Sequence, residues 1–312
     1  YIGWQGAFYN IAKIVATGGL VYLAGILIEK STSQGDSLYD ANQHAWMIIM
    51  AILSAVMVLL GIYHIFMLPS GGKRAAAEVH RTGKQVMVEL GEVLIDFFRK
   101  RHIVYYICFI ILYRFAEGFV MKIVPLFLKT EREMGGLGLS EKEIGLYYGS
   151  YGAAAFVLGS LLAGYYISSR GLKKTLFTLC GIFNLPFLVY TLFAIFQPTN
   201  GLLICSGIIF EYFGYGFGFV GLTLFMMQQI APGKHQMAHY AFASGIMNLG
   251  VMIPGMLSGW VCELFEEWFN KPSGYEPFFI FVLIATIPAF LITYFVPFKY
   301  NQDGTLIEGE KE

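Results

Sequence analysis

Eight stretches of this chain are each long and apolar enough to cross a lipid bilayer, and no other feature narrows its fold as far. They run over about 5–28, 45–68, 103–128, 143–168, 173–197, 201–230, 237–262 and 276–297. A helical span needs roughly 20 mainly apolar residues. In hydrocarbon the backbone must satisfy its own hydrogen bonds, which leaves helices or closed barrels. Barrel strands would alternate polar and apolar residues, and these runs do not. The chain is 56% hydrophobic and 13% charged, against about 25% charged in soluble domains. An all-α integral membrane fold is expected. The formal net charge is +0, so whole-chain charge points to no nucleic-acid partner. Cys108, Cys180, Cys205 and Cys262 stand singly in apolar runs, and no metal-ligand spacing or cofactor motif appears.

Loop charge gives the orientation. Taking residues 69–102 as inside puts thirteen Lys and Arg on that side and five on the other. By the positive-inside rule, this segment and the C-terminus are expected to be cytoplasmic. Four regions follow: 1–68 with two spans, a linker over 69–102, a six-span bundle over 103–298, and a tail over 299–312. Within the linker, Val86, Leu90, Val93 and Phe97 recur at helical spacing, with Leu94 and Phe98 widening the stripe. An amphipathic helix over 84–98 is expected, on the membrane surface or against the helix ends. Two spans, a long basic linker and six spans read as part of a 6+6 transporter of twelve helices. The chain opens on Tyr1-Ile2-Gly3 and reads as a fragment. Its site would then need the missing N-terminal helices of the same chain as a partner.

The run ILYRFAEGFVMKIVPLFL, residues 111–128, carries Arg114, Glu117 and Lys122. A charge at a span's centre costs about 2.5–3.5 kcal/mol on insertion scales. Arg114 lies about 16 Å into its span, at 1.5 Å per residue, and Glu117 follows one turn later on the same face. Glu211 lies about 15 Å into the sixth span and Lys13 about 12 Å into the first. Independent spans thus place ionisable groups in one layer, as a polar site between helices requires. The alternatives are a structural ion pair for Arg114–Glu117, a satisfied interhelical carboxylate for Glu211, and a partner in another span for Lys13. Lys122 is near enough to its span's end to snorkel as an anchor. Asn248, Tyr113, Tyr212, Phe213 and Tyr215 lie at similar depth and suit either a ligand or packing. Gly214, Gly216, Gly218 and Gly221 on the sixth span, and Gly245, Gly250, Gly255 and Gly259 on the seventh, permit close helix contact. His235 and His239 are spaced i, i+4, a spacing that a surface helix start explains as well as a metal does.

The loop Gly164 to Lys174, GYYISSRGLKK, resembles the loop of the major facilitator superfamily with the pattern G-x-x-x-D-R-x-G-R-R. Gly164, Gly171 and Lys173 match it; Ser168 stands for the Asp and Leu172 for an Arg, with Arg170 between them. In the family this loop gates the outward-facing state. Within that superfamily, LYRFAEGFVMKIVPLFL with GLGLSEKEIGLYYGSYG, and FEYFGYGFGFVGLTLFMMQQ with HYAFASGIMNLGVMIPGMLSGW, resemble the AmpG-type muropeptide permeases. The resemblance covers about 103–297. It implies a multi-pass protein of a bacterial inner membrane that imports anhydromuropeptides with protons, its partners being a small-molecule substrate, protons and the lipid bilayer. On that reading Arg114 holds a substrate carboxylate, and Glu117 and Glu211 carry protonation. A second reading keeps the fold with another solute, such as a sugar, nucleotide or CoA derivative. A membrane-embedded enzyme or a sensor would be a third and a fourth. No catalytic residue and no metal is expected.

Overall fold

The computed structural model describes residues 12, 14–67, 83–271, 273–301 and 305–306. In chain order, a π-helical stretch (Ile14–Leu20) runs into α1 (Val21–Ser33), followed by α2 (Leu38–Met67). Next come α3 (Gly83–Arg99), α4 (Ile103–Tyr113) and α5 (Phe115–Lys129). Five long helices complete the bundle: α6 (Glu141–Arg170), α7 (Leu172–Phe196), α8 (Gly201–Ile230), α9 (Gln236–Phe269) and α10 (Tyr275–Tyr294). Among the described residues, six helices, α2 and α6 to α10, are long and apolar enough to cross a membrane. The described residues contain no strand beyond an isolated bridge between Tyr300 and Leu306. The all-α membrane fold is therefore observed. The first expected span falls partly outside the described residues, and Lys13 with it.

The amphipathic linker helix forms as α3. Phe97 is buried against His239 and Phe242, while Leu90, Leu94 and Phe98 stay exposed. Only one edge of the stripe therefore packs on the helix ends.

Three spans are not continuous. The run 103–128, expected as one helix, is broken at Arg114, whose φ and ψ are −107° and 6°. Neither proline nor glycine stands at the break. The break instead gives α5 its own N-terminus, with Glu117 in its first turn, where the positive end of the helix dipole favours a carboxylate. In α7 a 3-10 turn interrupts the helix at Leu185–Phe187, because Pro186 has no N–H to give the carbonyl of Ile182. In α10 the interruption is at Thr286, two residues before Pro288. The three breaks lie at one level. The first part of α7 packs on α4's partner, the second part of α10, and α4 packs there too; the second part of α7 and α5 pack on the first part of α10. Two buried clusters result, one around Phe127, Tyr190 and Phe279, the other around Phe109, Phe183 and Phe225.

Helix α8 lies between α6 and α7, and its glycines allow it. A Cβ at Gly216 would strike the carbonyl of Phe156, and one at Gly214 would strike the ring of Pro186 and the carbonyl of Ile182. On α9, Pro254 seats on Gly118, whose Cβ would stand 2.5 Å from the proline Cγ. Gly245 and Gly259, by contrast, meet nothing within 4 Å, so the expected small face of α9 is used only in part. The first segment packs on the start of α6: a Cβ at Gly145 would lie 2.5 Å from the backbone nitrogen of Tyr22, and Lys142 pairs with Glu29 at 3.2 Å.

Candidate functional site

Arg114 sits at the break between α4 and α5 and is 5% exposed; Glu117 is 3% exposed. The guanidinium meets the carboxylate in a two-pronged pair, Nε to Oε2 at 2.6 Å and Nη2 to Oε1 at 2.5 Å. The same Nη2 stands 3.5 Å from the Tyr215 hydroxyl, and the guanidinium carbon lies 5.2 Å from the centre of the Phe219 ring. Each feature offsets desolvation: a bidentate partner in fixed geometry, a ring face beneath the cation and a helix dipole behind the anion. Burying such a pair gives little net stability, so its presence speaks to role rather than to folding.

Glu211, on α8, is 7% exposed and accepts a hydrogen bond from the Tyr190 hydroxyl at 3.1 Å. Glu117 and Glu211 line one cavity of about 260 Å³. Its walls are Val120, Met121 and Pro125 of α5, Tyr148 of α6, Tyr190 of α7, and Tyr212 and Tyr215 of α8. Tyr148 and Tyr212 meet edge to face, with centroids 5.0 Å apart. Tyr148 comes from the π-helical stretch Gly145–Tyr151; such stretches re-aim side chains within a helix. Pro125 cannot donate to the carbonyl of Met121, which leaves a backbone acceptor at the wall. The cavity can thus offer two carboxylates, tyrosine hydroxyls and a carbonyl among apolar and aromatic faces.

Of the other residues singled out in the sequence, Tyr113 is fully buried outside the cavity and donates to the Gly218 carbonyl at 3.0 Å. Asn248 is exposed on α9, away from the cavity. Arg114 itself lies behind Glu117 rather than on the wall. Lys122 is exposed. In the loop, Gly171 alone joins α6 to α7 and has φ +81°, a backbone that L side chains rarely adopt. Ser168 is exposed and bonds only the Tyr165 carbonyl, Arg170 stacks over Tyr166 at 5.1 Å, Lys173 is exposed and Gly164 faces open space. Sequence reasoning missed Tyr148 and Tyr190. A tyrosine about two turns from either end of a span carries no signal of which way it faces.

Residues 111–311 match the family model described as Major Facilitator Superfamily. Among curated proteins, the chain is 25% identical over 191 residues to "Putative transporter AmpG 1" of Rickettsia felis, covering 61% of this chain and 40% of that protein. It is 24% identical over 201 residues to the protein of the same name in Rickettsia bellii, covering 64% and 45%. With "Anhydromuropeptide permease" of Escherichia coli (strain K12) it shares 22% identity over 199 residues, covering 63% and 37%. The chain spans less than half the length of these curated relatives.

Proposed function

The chain belongs to the Major Facilitator Superfamily, and from that premise we propose that it is part of a secondary transporter, not an enzyme, importing anhydromuropeptides or related cell-wall sugar-peptides together with protons. The observation that carries this reading is the shared cavity: two buried carboxylates, Glu117 and Glu211, face one space walled by four tyrosines. In such a site a proton arriving at Glu117 removes the charge that holds Arg114. The guanidinium then becomes available to a substrate carboxylate. Glu211 takes the second protonation role, with Tyr190 steadying its charged form. Tyr148, Tyr212 and Tyr215 offer faces for a sugar ring. The cavity of about 260 Å³ lies just below the usual range for small-ligand sites, about 300–1,000 Å³. It supplies one half's share of a midplane site that forms between two halves.

The excess of Lys and Arg on the linker side supports an orientation with linker and tail in the cytoplasm, in a bacterial inner membrane. Gly171 and its neighbours would gate that face. The names of the relatives favour a muropeptide over another solute. The aromatic walls alone suit sugar, nucleotide or CoA derivatives equally, and this is the second reading.

The test is uptake of a labelled anhydromuropeptide by the full-length protein in liposomes, with and without an inward proton gradient. Gradient-driven uptake that Glu211→Gln abolishes while binding persists is the expected result. Absence of uptake by folded wild-type protein would remove the substrate assignment and turn attention to the second reading.

A further inference from the structure

A second cavity, of about 370 Å³, lies at the linker end of the bundle, far from the carboxylates. Three segments remote in sequence build it: the end of α3 with residues 99–101, the turn between α8 and α9 with the first turn of α9, and Lys299 with Tyr300 after α10. It therefore sits where α8, α9 and α10 end and α4 begins, at the level of the membrane surface.

Its chemistry is one-sided. Arg99, Lys100, Arg101, Lys234 and Lys299 line it, with Asp96 as its one carboxylate. Asp96 is half exposed and stands 3.6 Å from His235 Nε2. Lys299 is 6% exposed; its ammonium lies 5.3 Å from the centre of the Tyr300 ring and has no carboxylate partner among the described residues. Lys100 donates to the carbonyls of Ile230 and Pro232, at 2.5 and 2.6 Å. Those bonds satisfy the end of α8 but neutralise no charge. Burial first, and then the nearby Lys299, push the Lys100 ammonium down to about 8, with Asp96 opposing the shift.

Two further groups lie at its lining. His239 is 2% exposed, and its Nε2 faces the Val93 carbonyl at 3.3 Å. A carbonyl only accepts, so the proton sits on Nε2. The buried Nδ1 has no hydrogen-bond partner. The cavity also receives the start of α9, whose first N–H groups have no side-chain cap, and such ends favour anions. A cluster of cations, an orphaned buried acceptor and uncapped N–H groups match a phosphate group: anionic oxygens for the cations, and for Nδ1 a hydroxyl donor, the P–OH of a monoester or a headgroup hydroxyl beside a diester.

We propose that this pocket is a phosphate-binding site, occupied by the headgroup of an anionic lipid or by a soluble phosphate. The site is independent of the transport reading above.

Native mass spectrometry and calorimetry of the full-length protein test it. In nanodiscs of phosphatidylcholine alone, inorganic phosphate should bind wild type. In discs that include phosphatidylglycerol, the lipid should be retained on release and should compete with phosphate. Phosphate binding without lipid retention assigns the site to a soluble ligand; lipid retention that blocks phosphate assigns it to the headgroup. Lys299→Gln should weaken binding about five-fold, the worth of roughly one surface cation. Asp96→Asn should strengthen it about two- to five-fold, a gain that misfolding cannot mimic. No binding of either anion to wild type, or equal affinity in both variants, overturns the proposal. Neither result bears on muropeptide uptake, which has its own assay.

Discussion

The molecule holds charge in two places and in two ways. In the midplane site each ionisable group is held by a close partner: Arg114 by the Glu117 carboxylate, Glu211 by the Tyr190 hydroxyl, all nearly dry. At the linker end, cations outnumber carboxylates in the cavity lining, and the hydrogen bonds of Lys100 go to carbonyls. Depth explains the difference. In the interior an uncompensated charge costs several kcal/mol, so a site there must balance internally and change its balance only by moving protons or substrate. At the surface water and ions screen an excess, so a pocket can wait for its counter-charge from outside.

This contrast can be broken or sharpened by experiment. The largest effect should come from Glu117→Gln, which leaves Arg114 buried without its anion. Unfolding in detergent should show a loss of about 3–5 kcal/mol. The double change Arg114→Met with Glu117→Leu should recover most of that loss, because apolar side chains need no partner, while uptake stays abolished. Equal stability of the single and double variants would mean that the pair is not coupled. Tyr190→Phe comes next, removing a hydroxyl that donates to Glu211; a loss of about 1.5–3 kcal/mol is expected for a bond to a charged group, read in the same unfolding assay. Salt separates the two regions more gently. Raising ionic strength from about 0.05 to about 0.5 M should weaken phosphate binding several-fold and leave the cost of Glu117→Gln unchanged, since buried pairs are little screened.

The smallest effect concerns Lys100. Its ammonium loses its proton near pH 8, and only the protonated form attracts an anion. Affinity for phosphatidylglycerol, whose diester keeps a single charge over this range, should therefore fall about two- to five-fold as pH rises from about 7 to about 9. Lys299, Arg99, Arg101, Lys234, Asp96, His235 and His239 face the same space. Lys100→Arg should flatten the decline, measured by calorimetry at each pH.

The apolar runs were readable because hydropathy is local: the span assigned to 201–230 coincides with α8 (Gly201–Ile230). The pairing of Arg114 with Glu117 was equally local, three residues apart on one helix face. Depth along a span could be counted; direction around it could not. Asn248 and Tyr113 have the right depth, but one is exposed and the other bonds Gly218. Tyr148 and Tyr190 reach the cavity only because a π-helical stretch turns one of them and helix packing sets the other. The break at Arg114 had no proline or glycine to announce it. The basic pocket was out of reach for a different reason: its lining comes from residues 96–101, 229–239 and 299–300, which only the folded chain brings together.

The level shared by the breaks at Arg114, Leu185–Phe187 and Thr286 has a mechanical consequence. Bending an intact helix means pulling hydrogen bonds apart. Here three neighbouring spans already interrupt the regular α-helical ladder at one height, in part replacing it with tighter turns. The bundle is therefore stiff above and below and compliant across a single transverse plane, like a stack with a joint in it. That joint runs beside the Arg114–Glu117 pair. A change in the charge of one carboxylate is thus applied where the protein resists bending least.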